Sequence, residues 1–434
     1  MSDSLLNWDA YVRVASLSDI GLRRTNNQDN LSVSMASGLE QWKRRGHLFI
    51  VADGMGAHAA GELASKLAID HIPHLYAKFD DISAPEALKK SVVGANMEIH
   101  RRGQANEDFY NMGTTCSVLT LLPQGAVAAH IGDSRVYRMR KNYIEQLTFD
   151  HSLVWEMRAS GQITEEEEHS GKIPKNVITR SLGPYPECKV DVEGPFPIQI
   201  DDTFLLCSDG LTGQLTDEEI GSILANLAPN EAVRVLVDLA NLRGGPDNIT
   251  CIVVKVTHPQ LTTSATAQPI MLHGKNSKKP SIHPISWVVL IASGIATLLF
   301  GVMTNWLTAI LPGVVFLGGL IWTLIQAFGS PGKGEMIYGN RRFGKGPYTK
   351  TKFGNGEEFS KQLREISELL RDAAKTEDWK IDWETLDNLH AKAAQAIQND
   401  KPSEAIRFYS RSLSFLMDQL RNQDGSSSSI ELGS

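Results

Sequence analysis

Cysteine is scarce: the 434-residue chain has four, Cys116, Cys188, Cys207 and Cys251. They are scattered without a paired spacing, which argues against a zinc site. A basic excess is also lacking. The formal net charge is −7 and the sequence pI about 6.0, so there is no general electrostatic reason to bind nucleic acid. The first residues, MSDSLLNWDAYVRV, carry acids where a secretory leader would carry a basic region. With so few cysteines, this leads us to expect the first domain in the cytoplasm.

Long apolar runs are present. Ile285–Met303 and Leu307–Phe328 contain no charged residue, and each reaches the roughly 20 residues that a bilayer core requires. They are expected to form a two-helix transmembrane hairpin over 285–328. Lys275, Lys278 and Lys279 precede it, and Lys333, Arg341, Arg342 and Lys345 follow it. By the positive-inside rule both flanks are then cytoplasmic, which makes the chain a two-span protein of the cytoplasmic membrane. Residues 258–284 are polar and aperiodic and read as a linker, and 329–358 as a basic, Gly-rich linker. Residues 359–421 read as helices. One pair there, with Leu389, Ala393, Ala405 and Tyr409, weakly resembles a tetratricopeptide repeat, although one such unit cannot bury its own apolar face. Residues 422–434 are expected to be disordered.

The chemistry lies in the first 257 residues, where short apolar runs alternate with helical stretches. In FIVADGMGAHAAGELAS an apolar run ends at Asp53, two glycines follow, and an Ala-rich helix begins. Alone, Asp53 would read equally well as a helix cap. The pattern returns at Asp209 in LLCSDGL, at Asp247 in GGPDNITCIVV, at Asp133 in IGDSRVYR and, before a short alternating segment, at Asp29. Acids at strand ends can converge on one rim of a sheet, and they repel unless protons or cations neutralise them. An oxygen-only set suits a hard divalent ion such as magnesium or manganese.

The ordered succession SDIGLRRTNNQDN, VADGMGAHAAGE, MGTTCSVL, IGDSRVYR, LTFDHSLV, NVITRSLG, LLCSDGL and GGPDNITCIVV resembles the bacterial branch of the metal-dependent, type 2C serine/threonine phosphatases. The resemblance covers roughly residues 10–257. It implies an α+β fold, a four-layer α-β-β-α sandwich with two antiparallel sheets face to face, here followed by the hairpin and a small all-α region. It also implies two manganese or magnesium ions at one rim and a third, weaker site. On this resemblance Asp53 is similar to the acid that bridges both metals, and the carbonyl of Gly54 to a further ligand. Asp209 and Asp247 match the acids of the first metal, and Asp133 that of the third. Asp29 falls in the first motif as a ligand or a supporting acid. Arg24 matches the arginine that holds phosphate, and Asn248 could orient Asp247. A water activated between the metals would attack phosphorus in line, with no cysteine nucleophile.

Some positions depart from the family pattern. Gln28 precedes Asp29 where many members have a glutamate. Met55 stands where eukaryotic members carry a histidine proposed as general acid, and Ala57 replaces a usual glycine. The segment from Trp155 to Asn176 resembles the flap that varies among members. The expected partners are phosphorylated proteins and a cognate serine/threonine kinase, with a protein partner for the helical tail. Two other readings compete: a catalytically weak phosphoprotein-binding scaffold, and another two-metal hydrolase such as a nuclease, which lacks a basic groove.

Overall fold

Twelve strands form two antiparallel sheets among the described residues. These residues, in a computed structural model, are 8–56, 59–164, 167, 173–174, 177–263, 291–299, 314, 316–318, 320 and 343–423. The first sheet joins β1 (Val12–Asp19), β11 (Ile249–Val256), β10 (Thr203–Cys207), β7 (Arg135–Arg140), β8 (Tyr143–Gln146) and β12 (Thr349–Lys352), in that spatial order. The second joins β2 (Asp29–Ser34), β3 (His47–Met55), β5 (Cys116–Leu122), β6 (Gly125–Ile131) and β9 (Asp191–Phe196), while β4 (Gly113–Thr114) pairs with the end of β3.

The apolar runs become strands because both faces of each sheet are covered, which removes the usual polar alternation. In β3, Phe49 and Val51 point between the sheets to meet Phe204, Leu206, Ile252 and Val254. Leu48, Ile50 and Ala52 point the other way, into the layer made by α2 (Ala60–Lys78) and α3 (Ala84–Ala105). On the far face of the first sheet lie α6 (Asp217–Asn226) and α7 (Pro229–Leu242). The smaller helices are α1 (Leu39–Arg45), α4 (Leu153–Ala159) and α5 (Asp209–Thr212). The order helix, sheet, sheet, helix is the expected sandwich.

The C-terminal helices α8 (Glu357–Thr376), α9 (Trp383–Gln398) and α10 (Pro402–Gln423) are as expected in kind. Their placement goes beyond that expectation. Leu363, Ala393, Ala405, Ile406, Tyr409, Leu413 and Met417 share one core with Val233, Leu236 and Val237 of α7. The segment expected to be linker contributes β12, whose polar TKTK edge pairs with β8, and Phe353, which is buried against Gly221.

The chain divides into two units, Met1–Ile270 with Gly339–Ser434, and Met271–Tyr338. Among the described residues no helix is long and apolar enough to cross a membrane. This corrects the expected two-span placement in the cytoplasmic membrane. The continuous helical stretch described there, 291–299, spans about 14 Å at 1.5 Å per residue, half of the roughly 30 Å core. The rest of Ile285–Phe328, apart from 314, 316–318 and 320, lies outside the described residues.

Candidate active site

The strand register brings two carboxylates into direct opposition: Asp29 of β2 faces Asp53 of β3. Like charges directly opposite on neighbouring strands are destabilising, so the pair has no purely structural reason to exist. The backbone of Asp53 is fixed on the other side. Its N–H donates to Thr115 Oγ1 (3.0 Å), and its carbonyl accepts from Thr114 Oγ1 (2.9 Å) and Thr115 N–H (2.8 Å). Thr115 Oγ1 in turn meets Ser134 Oγ at 2.7 Å, which ties β3 to the turn carrying Asp133. The next residue must be glycine. A Cβ on Gly54 would lie 2.1 Å from the Gly61 carbonyl and 2.6 Å from that of Gln28.

Asp209 begins α5 directly after β10, and Asp247 sits on the turn before β11. Gly210 lets the two turns nest, since a Cβ there would lie 2.0 Å from the Asn248 carbonyl. Asn248 touches Asp247 through its backbone, whose N–H donates to Asp247 Oδ1 (2.9 Å). The side-chain amide spans the 20–28 loop, donating to the Ile20 and Asn26 carbonyls (2.9 and 3.0 Å) and accepting from Gln28 N–H (2.9 Å). That loop carries Arg24, whose Nη2 donates to Asp247 Oδ2 at 2.7 Å.

Burial raises the acids, and their mutual charges add to it. Desolvation, then the charges of Asp29, Asp209, Asp133 and Asp247, push Asp53 well above the usual carboxylate range. Burial lifts Asp29 to about 7 despite a hydrogen bond from Ser208 Oγ (2.7 Å). It lifts Asp133 to about 8, with further contributions from Asp209 and Asp150, and Asp133 Oδ1 has no hydrogen-bond partner. Asp209 is raised by burial first and then by the charge of Asp247. Among the described residues no three His, Cys, Asp or Glu side chains close into a ready-made cage. The acids are spread around a rim, where Asp247 is bonded to Arg24.

Arg24, Asp133, Asp209 and Asp247 line a cleft of about 480 Å³, together with Arg135 and Trp155. The last two were not singled out as site residues in the sequence, although IGDSRVYR contains the arginine. Arg135 is held by Asp150 (Nε donating to Oδ2, 2.8 Å) and stands 5.7 Å from the Trp155 ring centroid. His151 accepts from Gly132 N–H through Nδ1 (3.1 Å), so its Nε2 donates to Asp191 (2.9 Å), and this braces the turn before Asp133. Thr179 and Arg180 play supporting parts, Thr179 on Glu156 and Arg180 on Asp191. Of the flap-like segment, α4 and a few following residues are described. Residues 165–166, 168–172 and 175–176 lie outside the described set, as do Ala57 and His58.

Residues 23–239, half of the chain, match the family model described as protein phosphatase 2C. The protein phosphatase PhpP of Streptococcus pneumoniae is 37% identical over 250 residues, 56% of this chain and 98% of that protein. The serine/threonine phosphatase stp of Listeria monocytogenes is 35% identical over 243 residues, 55% of this chain and 93% of that one. Among solved structures, the S. agalactiae serine/threonine phosphatase superposes with a TM-score of 0.51 at 35% identity, covering 57% of this chain and all of that one. Ordered motifs, sandwich and acid rim thus agree with the sequence match, and the chain belongs to the protein phosphatase 2C family.

Proposed function

We propose that this chain, a metal-dependent protein serine/threonine phosphatase, works through the acid rim at the end of its two sheets. In this reading Asp53, the Gly54 carbonyl, Asp209 and Asp247 hold two divalent cations, manganese or magnesium. Asp133 faces a third, and Asp29 supports Asp53 from the neighbouring strand. The observation that carries the reading is the charge balance of the rim: several buried acids stand together with raised pKa values, and Asp133 Oδ1 has no partner. All donors are oxygens, which fits a hard cation. Divalent ions bound there supply an activated water and charge to neutralise phosphoryl oxygens.

The chain's own groups do the rest. Arg24 presents a planar fork suited to two phosphate oxygens. Its present bond to Asp247 joins two partly exposed side chains, an attachment worth at most about 1 kcal/mol, so an incoming phosphate can displace it. That exchange would also release Asp247 toward the cation. Asn248 keeps the Arg24 loop and the Asp247 turn in register during the exchange. The substrates are phosphoserine and phosphothreonine in proteins, in opposition to serine/threonine kinases.

The test is phosphate release from a phosphothreonine peptide by the full chain with manganese or magnesium, and then with chelator. Turnover that needs the metal supports the assignment. Turnover that survives chelation, or that persists in a folded Asp209→Asn variant, overturns it.

A further inference from the structure

The opposite end of the β1–β11 pair holds a second charged cavity that the catalytic reading does not use. The register runs from Asp19↔Ile249 beside the catalytic turns to Arg13↔Lys255, six residues away or about 20 Å along the strands. Arg13 and Lys255 are therefore cross-strand neighbours of like charge, an arrangement that costs stability. They line a cavity of about 490 Å³ with Arg407 and Arg411 of α10 and the acids Asp201 and Glu231. One acid is already engaged, because Arg411 Nε donates to Glu231 Oε1 at 2.8 Å. The cavity wall thus carries two more positive than negative charges in a chain whose total is −7.

The helix behind it adds to the same field. The N-terminal turn of α7 opens onto the cavity through Ala228 and Pro229, and its N-cap Ala228 offers no side-chain oxygen. Uncapped N–H groups at a helix start favour an anion. Arg407 Nε donates to the Asn226 carbonyl (2.8 Å), which fixes that guanidinium at the mouth.

We propose that this cavity binds a phosphoryl dianion, supplied by inorganic phosphate, the product of the reaction, or by a second phosphorylated residue of a bound substrate. The cavity exceeds the size of a phosphate ion, so it has room for a phosphorylated side chain and its neighbours. Two of its four cations come from the phosphatase sheet and two from the C-terminal helix α10, so the bound anion bridges tail and catalytic sandwich. The site rests on its own residues and does not depend on the metal assignment.

The test uses the full chain with Arg24→Ala, in chelator, so that neither Arg24 nor metal can hold phosphate at the catalytic rim. Inorganic phosphate and a phosphothreonine peptide are titrated separately by calorimetry, with the unphosphorylated peptide as control. Saturable binding is expected, at least about tenfold weaker when Lys255→Glu gives Arg13 a carboxylate opposite it, and weaker also in Arg407→Ala. Tighter binding of the peptide than of phosphate identifies substrate as the source, and equal binding identifies product. In the otherwise unaltered chain, Lys255→Glu should leave turnover of a short monophosphorylated peptide unchanged. No saturable binding in the Arg24→Ala chain, equal binding with and without Lys255→Glu, or equal binding of the unphosphorylated peptide overturns the proposal.

Discussion

The catalytic rim and the seam between α7 and α10 both bury carboxylates, and they treat them in opposite ways. At the seam, Asp238 is fully buried and accepts from Arg421 Nη2 at 2.8 Å, while Asp418 pairs with Arg234. At the rim, Asp29 receives the Ser208 hydroxyl and Asp247 the partly exposed Arg24, but among the described residues Asp29, Asp53, Asp133 and Asp209 form no ion pair; Asp133 Oδ1 and, at the seam, Asp238 Oδ2 accept no hydrogen bond. Where the fold needs a permanent joint, the chain supplies its own cation. Where it leaves acids together without one, an external cation can complete them, and the folded state carries the electrostatic cost until it arrives.

Removing a rim acid should have the largest effect. Asp209→Asn is expected to lower kcat by about a thousandfold, roughly 4 kcal/mol, with an unchanged or higher melting temperature in chelator because one repelling charge is gone. An equal loss of stability and turnover would place Asp209 with the seam acids instead.

A change of pH should sharpen the contrast next. Folded pKa values of about 7 for Asp29 and about 8 for Asp133 lie above the value of 3.8 for a free carboxylate. The folded state therefore binds these protons more tightly than the unfolded one. Their contribution to metal-free stability is then fully present below about pH 4 and is lost as pH rises through 7 to 8, by about 4 kcal/mol for Asp29 and about 6 kcal/mol for Asp133. Adding manganese should reverse that slope, as thermal melts from pH 5 to 8 with and without chelator can show.

Breaking the seam should cost less. Arg421→Ala leaves Asp238 buried without its cation, for a loss of about 3 kcal/mol in melts, and adding Asp238→Asn should recover most of it. Smallest is Arg24→Lys: a point charge replaces the fork, and KM should rise about tenfold with little change in melting temperature. A change in kcat alone would contradict a phosphate-holding role.

The acids could be read from the sequence because each sits at one end of a strand-like run, whereas the two-sheet sandwich could be read only through the resemblance of the ordered motifs to the type 2C phosphatases. The opposition of the acids could not be read. That Asp29 faces Asp53 is a fact of register between β3 and the partly exposed edge strand β2. The Arg135–Asp150 pair joins two motifs without a spacing signal. The docking of α10 was hidden because its apolar stripe would fit any partner, and β12 because TKTK lacks an apolar face and is held by its edge pairing with β8. The tail's Ala393, Ala405 and Tyr409 are buried as a helical pair requires, while Leu389 is half-buried.

The most direct test of the rim as a cation site is calorimetric titration of manganese into the metal-free full chain near pH 7, in two buffers of different ionisation enthalpy. Saturable binding accompanied by proton release is expected, because raised carboxyls must give up protons to become ligands, and Asp209→Asn should weaken it. Absence of saturable binding, or binding of equal strength in Asp209→Asn, would contradict the cation-site assignment.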